Sequence, residues 1–289
     1  MPENRTISRR SSLKKIGAAG TAVTLGATGM PRSVNARYGS ATAFALVGDR
    51  YHNSDYIRTA LGKTLVREMG LSIDFTDEVS LLNAETLENY KMLIVFRDGM
   101  IWPDGYAGHY PGYVPGTSPE IISEPPLPEI KGEPVMWLQP EQGRAVKEFV
   151  ENGGSAFFFH NNSHVSLASE DYRDVEGAIY TGHPPIRAFR VRIENRNHPI
   201  TKGVNDFLVV DEQHYVTYDK DPKYVLMRSE NADGLSYGDQ GTSCEAGWAY
   251  EYGRGRVCFM APGHMISVMW NTEYVKLQQN AVRWLLREI

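Results

Sequence analysis

The sequence lacks the motifs that would assign it at once to several large enzyme classes. Its 289 residues contain no G-x-G-x-x-G turn after a strand, no Walker loop and no H-E-x-x-H helix. Dinucleotide, nucleotide and zincin sites therefore lack the glycines and ligands on which they depend. The chain also has no uninterrupted apolar run of the ~20 residues that a membrane-spanning helix needs.

Cysteine is scarce as well. The two cysteines, Cys244 and Cys258, are too few for a scaffold built on disulfides. In an oxidising compartment they could form one bond. The apolar run "RVCFMA" around Cys258 equally fits an inert, buried thiol.

The first 36 residues have the pattern of an export signal. The pair Arg9 and Arg10 in "SRRSSLKK" precedes a weakly apolar run over residues 16–30, and Val34-Asn35-Ala36 offers a small-residue cleavage site. This arrangement is typical of twin-arginine signals. A membrane anchor is the alternative, but the apolar run is short of the length that a spanning helix requires. The sequence therefore predicts a periplasmic or secreted protein.

Positive charge is not in excess. The chain carries 30 basic and 35 acidic residues, a net charge of −5. Removal of residues 1–36 takes away six basic residues and one acidic residue, which leaves −10. This sign argues against a nucleic acid or an anionic membrane as partner.

After the signal, short apolar runs alternate with helical patterns. The runs that predict buried strands are "ATAFALV", "LSIDFT", "KMLIVF" and "SAFFF". The predicted helices are a four-residue repeat from Ile57 to Met69, then "NAETLENY", "EQGRAVKEFVENGG" and "TEYVKLQQNAVRWLLREI". This alternation predicts an α/β fold with a mainly parallel sheet, covered on both faces, whose ligands bind beyond the carboxyl ends of the strands.

Two segments interrupt the alternation. Residues 98–135 are rich in Pro and Gly, and a loop of this length in a compact domain predicts a functional element such as a lid. Its aromatic residues include Trp102, Tyr106, Tyr110 and Tyr113. Residues 186–262 are mostly β, with a hairpin turn at Gly253-Arg254-Gly255.

Polar residues stand where the predicted strands end. They are His52 after the first strand, Arg97 and Asp98 after the third, His160 after "SAFFF", His264 after "RVCFMAPG", and Asp211, Glu212 and His214 around the end of "FLVV". Parallel neighbours would bring these side chains into one crevice. Any single such histidine is more often a surface or supporting residue, and His109 and His198 have the weakest placement. The prediction depends on their joint position.

The strand tip at residue 160 also argues against covalent hydrolysis. A serine or cysteine hydrolase would carry its nucleophile at such a tip, on a turn flanked by glycines. Here the tip carries His160, followed by Asn161 and Asn162, and Ser163 lacks the glycines. Covalent serine or cysteine catalysis is therefore disfavoured.

The chain resembles the ThuA-like (trehalose utilisation) family over most of residues 41–289. The segments that carry the resemblance are "WLQPEQGRAVKEFVENGGSAFFFHNNSH", "GAIYTGHPP", "NHPITKGVNDFLVVDEQHY" and "WAYEYGRGRVCFMAPGH". The most specific are "HPITKG" followed by "DEQHY", and "GRGR" leading into Gly263-His264. Two departures are visible: Gln213-His214 displaces the tyrosine that usually follows "DE" to Tyr215, and the long aromatic loop is an elaboration.

The resemblance implies a flavodoxin-like, three-layer fold of the class I glutamine amidotransferase type, with a β-rich C-terminal elaboration. It implies that the amidotransferase cysteine is absent and that a histidine stands near the end of the equivalent strand. The family is associated with the catabolism of trehalose and related sugars through 3-keto-glycosides. On this basis we expect residues 37–289 to form one ThuA-like domain that processes a small-molecule sugar or keto-sugar.

The expected chemistry is acid–base catalysis, because imidazole exchanges protons near neutral pH. We predict His160 as general acid or base, Glu212 as the carboxylate that orients it, and His264 as a further catalytic group. The predicted substrate-binding residues are His52, Asp98, Asn161, His164, Asp211, His214 and Tyr215.

Two alternatives remain open on the sequence. One is a carbohydrate-binding or accessory module without turnover. The other is a metal-dependent hydrolase or lyase in which His52, His160 and Glu212 bind zinc or a similar divalent ion and leave a position for water. No pair of these residues has the i, i+4 spacing that would identify a metal site by motif.

Overall fold

The computed structural model describes residues 41–103 and 132–289. The predicted export signal and residues 104–131 of the predicted lid lie outside the described residues. The export signal, the lid and the division of the chain at residue 37 stay predictions.

Five parallel strands form one half of a nine-stranded sheet. They are β1 (Ala43–Val47), β2 (Ile73–Thr76), β3 (Met92–Phe96), β6 (Ser155–Phe159) and β13 (Gly255–Met260), in the order β2-β1-β3-β6-β13. Every residue of β1, β3 and β6 is buried, as expected for strands covered on both faces. The predicted α/β class with a mainly parallel sheet is confirmed.

Four antiparallel pairings extend this sheet beyond β13. The added strands are β8 (Arg187–Ile193), β9 (Phe207–Asp211), β11 (Val225–Asn231) and β12 (Ser243–Tyr252), in the order β12-β11-β8-β9. Alternating direction gives β11 and β9 the same direction as the parallel half. Although β9 is four strands from β13 in this order, its last residue contacts the segment that follows β13. The antiparallel half therefore curls back toward the carboxyl edge of the parallel half.

Helices cover both faces of the parallel half. They are α1 (Ser54–Leu61), α2 (Ala84–Leu87), α3 (Pro140–Glu151), α4 (Glu170–Glu176), α5 (Ile266–Met269) and α6 (Thr272–Leu285). One group of contacts joins α2, α3 and α4, and another joins α1, α5 and α6. Pro140 at the first turn of α3 and the Asn271 cap of α6 are normal helix starts. The predicted helix from Ile57 to Met69 is α1 followed by a π-helical turn over Gly62–Arg67.

Two small antiparallel ribbons lie outside the main sheet. One pairs β4 (Met100–Ile101) with β5 (Val135–Met136), and the other pairs β7 (Ala178–Gly182) with β10 (Tyr215–Tyr218). Among the described residues, no helix combines the length and apolar character needed to cross a bilayer.

Both cysteines are buried and free. Cys258 on β13 pairs with Ala249 on β12. Ala249 is five residues along β12 from Cys244, so the two cysteines lie about 17 Å apart. A disulfide needs Cα atoms within about 7 Å, so the buried-thiol alternative describes this structure. Burial raises the pKa of the Cys244 thiol to about 12.

Candidate active site

The loop after β1 is organised around the carboxylate of Asp49. The carboxylate accepts hydrogen bonds from the backbone N–H of Tyr51 and of His52 (2.8 Å each), from the N–H of Asp98 (3.0 Å) and from Asn161 Nδ2 (2.8 Å). Its side chain is completely buried. Burial alone would raise its pKa, but His52 and the other donors hold the pKa of Asp49 well below its usual range. Asp49 is therefore a permanent buried anion that joins the tips of β1, β3 and β6.

Asp49 also fixes the orientation of His52. His52 Nδ1 lies 2.9 Å from Asp49 Oδ1, and its Nε2 lies 2.9 Å from His264 Nδ1. An ionised carboxylate only accepts hydrogen bonds, so Nδ1 carries a proton, and in the neutral ring Nε2 then presents a lone pair. The His52 ring therefore offers an acceptor atom to the interior of the site.

His160 occupies a turn that few side chains adopt. It directly follows β6 with a φ of 53°, in the left-handed region that costs an L-residue about 1–2 kcal/mol. Its Nδ1 donates to the Ala261 carbonyl oxygen at 2.7 Å, and the residue has no exposed surface. Burial lowers its pKa, so the ring is neutral with a lone pair on Nε2. A general acid or base has to reach the substrate, and the structure instead buries this side chain completely.

The segment after β13 is held at three points. Asp211, the last residue of β9, accepts hydrogen bonds from Gly263 N (2.7 Å) and Met265 N (3.0 Å). The hydroxyl groups of Tyr56 and Tyr274 donate to the carbonyl oxygens of Gly263 and Pro262. These contacts set the position of His264. Gly263 is required here because a Cβ would lie 2.7 Å from His160 Cβ.

Glu212 lies at the centre of a group of histidines. Its Oε2 is 3.2 Å from His264 Nδ1, 3.3 Å from His214 Nε2 and 3.5 Å from His160 Nε2. Burial would raise the pKa of Glu212, but hydrogen bonds from His214 and His264 hold it well below its usual range. Burial opposes the charged form of His264 too, yet the Glu212 carboxylate outweighs it and raises the His264 pKa. Burial and neighbouring His160 lower the pKa of His214.

A cavity of about 590 Å³ opens onto this group. Its polar lining residues are His52, Asp98, Asn161, His164, His183, Glu212, His214 and His264, and its less polar ones are Tyr51, Met100, Tyr180 and Ile186. It lies at the carboxyl ends of the parallel strands, where α/β folds bind ligands. A second cavity, of about 560 Å³, lies at the other end of the strands, next to Lys91 and Ser155.

Two further ionisable groups face this cavity. Burial, reinforced by the Asp49 carboxylate, raises the pKa of Asp98 to about 7. Burial lowers the pKa of His164, whose Nδ1 accepts a hydrogen bond from Gly99 N at 3.3 Å. A carboxyl group that titrates near neutral pH inside a cavity is suited to both donating and accepting a proton.

The structure brings together most of the residues predicted from the sequence. Of the ten, seven line the cavity: His52, Asp98, Asn161, His164, Glu212, His214 and His264. His160 contacts Glu212 without lining the cavity. Asp211 also lies outside the lining, where it accepts hydrogen bonds from the backbone of Gly263 and Met265. Tyr215 points away from the cavity, where its ring contacts Tyr237 and its hydroxyl donates to the Gly241 carbonyl oxygen. Arg97 is buried outside the cavity lining, with Nη1 donating to the Asp77 carbonyl oxygen at 3.0 Å.

Sequence reasoning missed several residues of the site, among them Asp49, Tyr180 and His183. Asp49 stands three positions before His52 in "GDRYHNSD", and a carboxylate so close to a strand-tip histidine is a detectable signal. Tyr180 and His183 arrive on the β7–β10 ribbon, whose sequence has no periodicity that relates it to the strand tips. His183 Nδ1 lies 3.9 Å from Glu212 Oε1, which adds a fourth imidazole around this carboxylate.

These features define a protein with the flavodoxin-like fold of class I glutamine amidotransferases and with a pocket of histidines and carboxylates at its strand tips. The chain matches the family described as ThuA, trehalose utilisation, over residues 131–285. It belongs to this family, as the resemblance implied. No curated protein sequence matches the chain.

Solved structures share the fold at low sequence identity. A ThuA-like protein from Bacteroides uniformis ATCC 8492 is 17% identical with a TM-score of 0.56, covering 89% of this chain and 95% of that chain. A ThuA-like protein from Parabacteroides merdae ATCC 43184 is 15% identical with a TM-score of 0.57, covering 85% and 89%. A β-galactosidase from Rahnella sp. R3 is 11% identical with a TM-score of 0.50, covering 86% of this chain and 31% of that chain. At these identities the likeness shows the fold alone.

Proposed function

We propose that the chain binds a sugar or keto-sugar in the 590 Å³ cavity and transforms it by proton transfer. The observation that carries the proposal is the group at and behind the cavity floor, where four histidines surround the Glu212 carboxylate. Membership of a family described as trehalose utilisation supports a sugar as the substrate class.

The size and walls of the cavity suit such a ligand. Sites for small molecules typically enclose about 300–1,000 Å³, with apolar and aromatic walls and a few fixed polar groups. Tyr51 and Tyr180 can cover the C–H face of a sugar ring, and the carboxylates and imidazoles can bind its hydroxyl groups.

Proton exchange requires groups that reach the substrate. Glu212 and His264 were predicted as catalytic and line the cavity, and Asp98 joins them because its pKa is raised to about 7. His160 does not line the cavity. We assign it as a positioning residue that acts on the substrate through Glu212.

The proposal includes export. It is supported by the sequence of residues 1–36, in which Arg9 and Arg10 precede a weakly apolar run. Sugar processing would then take place outside the cytoplasm.

Calorimetric titration with trehalose, other disaccharides and their 3-keto derivatives tests the proposal, followed by product analysis. We expect at least one of these sugars to bind and to be converted. Glu212→Gln should abolish most turnover, whereas Glu148→Gln, which lines the second cavity, should not. Binding without conversion would identify a carbohydrate-binding module instead. Failure of every sugar to bind the folded protein would refute the proposal.

A further inference from the structure

Four side chains, three that line the cavity and one directly behind it, converge on one small volume. His52, His160, Glu212 and His264 each offer a ligand atom, and these atoms all lie within 4.8 Å of one another. We propose that this cluster is a binding site for a divalent transition-metal ion of the zinc class, with three imidazole nitrogens and one carboxylate oxygen as ligands.

The separations between the ligand atoms agree with a single ion. Ligands about 2.0–2.1 Å from a tetrahedral zinc lie about 3.3 Å from each other. The distance from Glu212 Oε2 is 3.2 Å to His264 Nδ1 and 3.5 Å to His160 Nε2. His52 Nε2 and His264 Nδ1 are 2.9 Å apart and need to separate by only a few tenths of an ångström.

Two of the imidazoles have the supporting contacts of metal ligands. A ligating histidine usually donates its other ring N–H to a carboxylate or a backbone carbonyl, which fixes the tautomer. His52 Nδ1 contacts the Asp49 carboxylate, and His160 Nδ1 donates to the Ala261 carbonyl oxygen. Both rings therefore direct the lone pair of Nε2 toward the same point.

The cluster has more acceptors than protons. His52 Nε2, His160 Nε2 and the Glu212 carboxylate all present lone pairs, and the proton on His264 Nδ1 can serve His52 or Glu212. His214 Nε2 contacts the same carboxylate oxygen, Glu212 Oε2, at 3.3 Å. His160 Nε2 is fully buried, has no hydrogen-bond partner among the described residues, and faces a carboxylate. A cation at this point satisfies every one of these acceptors.

The ligand set also selects the kind of ion. Imidazole suits zinc, copper, iron and nickel, whereas magnesium and calcium prefer oxygen ligands alone. A second group, His183, Glu212 and His214, shares the same carboxylate, but the His183 atom that faces Glu212, Nδ1 at 3.9 Å from Oε1, already donates to the Pro184 carbonyl oxygen at 2.9 Å. We therefore place the ion in the first group.

A metal at the cavity floor would lie where a sugar hydroxyl or keto oxygen can reach it. That use of the ion depends on the proposed function, whereas ion binding itself does not. With Glu212 and His264 engaged as ligands, proton exchange with the substrate would fall to Asp98.

Titration of chelator-treated protein with Zn²⁺, and with Co²⁺ followed by its visible absorption, tests the site. We expect one ion per chain and a tetrahedral Co²⁺ spectrum. The dissociation constant should rise at least about tenfold in His264→Asn and Glu212→Gln, and about 10- to 100-fold in Asp49→Asn, which loses the support of His52. The matched control, His198→Asn, keeps a side-chain acceptor for Ile200 N and should bind as the parent does.

Two results would overturn the proposal: no Zn²⁺ binding by the folded parent, or unchanged affinity in His264→Asn. If, in that second case, affinity were lost in His214→Gln, the ion would belong to the second group. Because His264 is partly exposed, His264→Asn should fold even if buried variants do not. Sugar titration of the metal-loaded and metal-free protein separates the two proposals. Metal binding without sugar binding would refute only the proposed function.

Discussion

His160 Nε2 lies 3.5 Å from Glu212 Oε2, while Nδ1 of the same ring donates to the Ala261 carbonyl oxygen at 2.7 Å. The ring thus joins the end of β6, the segment after β13 and the carboxylate that follows β9. This connection has a cost in the backbone, because His160 is held at a positive φ. Strain of this kind persists only where the surrounding contacts determine the conformation.

The backbone strain at position 160 can be measured with two truncations. His160→Gly and His160→Ala both lose the ring and its hydrogen bond, but only glycine adopts this conformation without strain. We expect the glycine variant to be more stable than the alanine variant by about 1 kcal/mol. Urea unfolding of both variants measures the difference, and equal stabilities would show that the turn relaxes.

The close packing of Gly263 on His160 gives a second prediction. A Cβ at position 263 would lie 2.7 Å from His160 Cβ and 2.9 Å from Phe96 Cζ, so Gly263→Ala should destabilise the fold by about 1–3 kcal/mol. The control is Gly62→Ala, where nothing lies within 4 Å and φ is −60°. This substitution should stabilise the protein by about 0.5–1 kcal/mol. Thermal melts of the pair test the prediction, which is wrong if both variants behave alike.

The strand tips of the parallel half could be predicted because each βα repeat is local in sequence. Buried runs of five residues end at Val47, Phe96 and Phe159, shortly before His52, Asp98 and His160. Parallel pairing then brings these strand ends together. In the antiparallel half, no local repeat shows which strand ends will lie next to the parallel half. Glu212 enters the site only because the sheet curls, and the curvature depends on packing between distant strands.

The side-chain direction at positions 214 and 215 illustrates the same limit. Neighbouring residues in extended chain point to opposite sides, so only one of His214 and Tyr215 can face the cavity. The end of the turn after Glu212 decides whether His214 or Tyr215 faces the cavity, and the sequence does not show where this turn ends. Tyr180 and His183 were missed for a related reason, since a short ribbon carries no periodic signal.

Glu176 provides a prediction outside the cavity. Burial raises its pKa to about 8, so the folded state binds more protons than the unfolded state between about pH 4.5 and pH 8, and this group's contribution to stability falls as pH rises through that range. Glu176→Gln has no such titration. Its stability relative to the parent should therefore increase with pH up to about 8, with turnover unchanged. A constant difference across that range would contradict the assignment.

The export signal predicts dependence on the twin-arginine translocase. Replacement of both Arg9 and Arg10 by Lys should leave the precursor in the cytoplasm, because the paired arginines are the recognition feature. Replacement of Lys14 and Lys15 by Arg, which keeps the charge, is the control. Cell fractionation measures the outcome. Export that continues in a strain without this translocase would contradict the prediction.

The last prediction concerns Asp98, where stability and activity should change in opposite directions. Burial and the neighbouring Asp49 raise the Asp98 pKa from 3.8 to about 7. Between these values the folded state retains a proton that the unfolded state has lost, so the stability contributed by this group falls as pH rises from about 4 to about 7 and stays low above that. Asp98→Asn removes the titration and keeps an oxygen that can accept from Met100 N.

Relative to the parent, Asp98→Asn should be increasingly stabilised between about pH 4 and pH 7, by at most about 4 kcal/mol, the equivalent of the full pKa shift. If Asp98 exchanges protons with the substrate, the same variant should lose about 10²- to 10⁴-fold in turnover. Urea unfolding across this pH range and turnover near pH 7 measure both effects. A variant that loses activity only in proportion to its unfolded fraction would exclude the acid–base role. One whose relative stability does not vary with pH would show that Asp98 is ionised in the folded protein throughout.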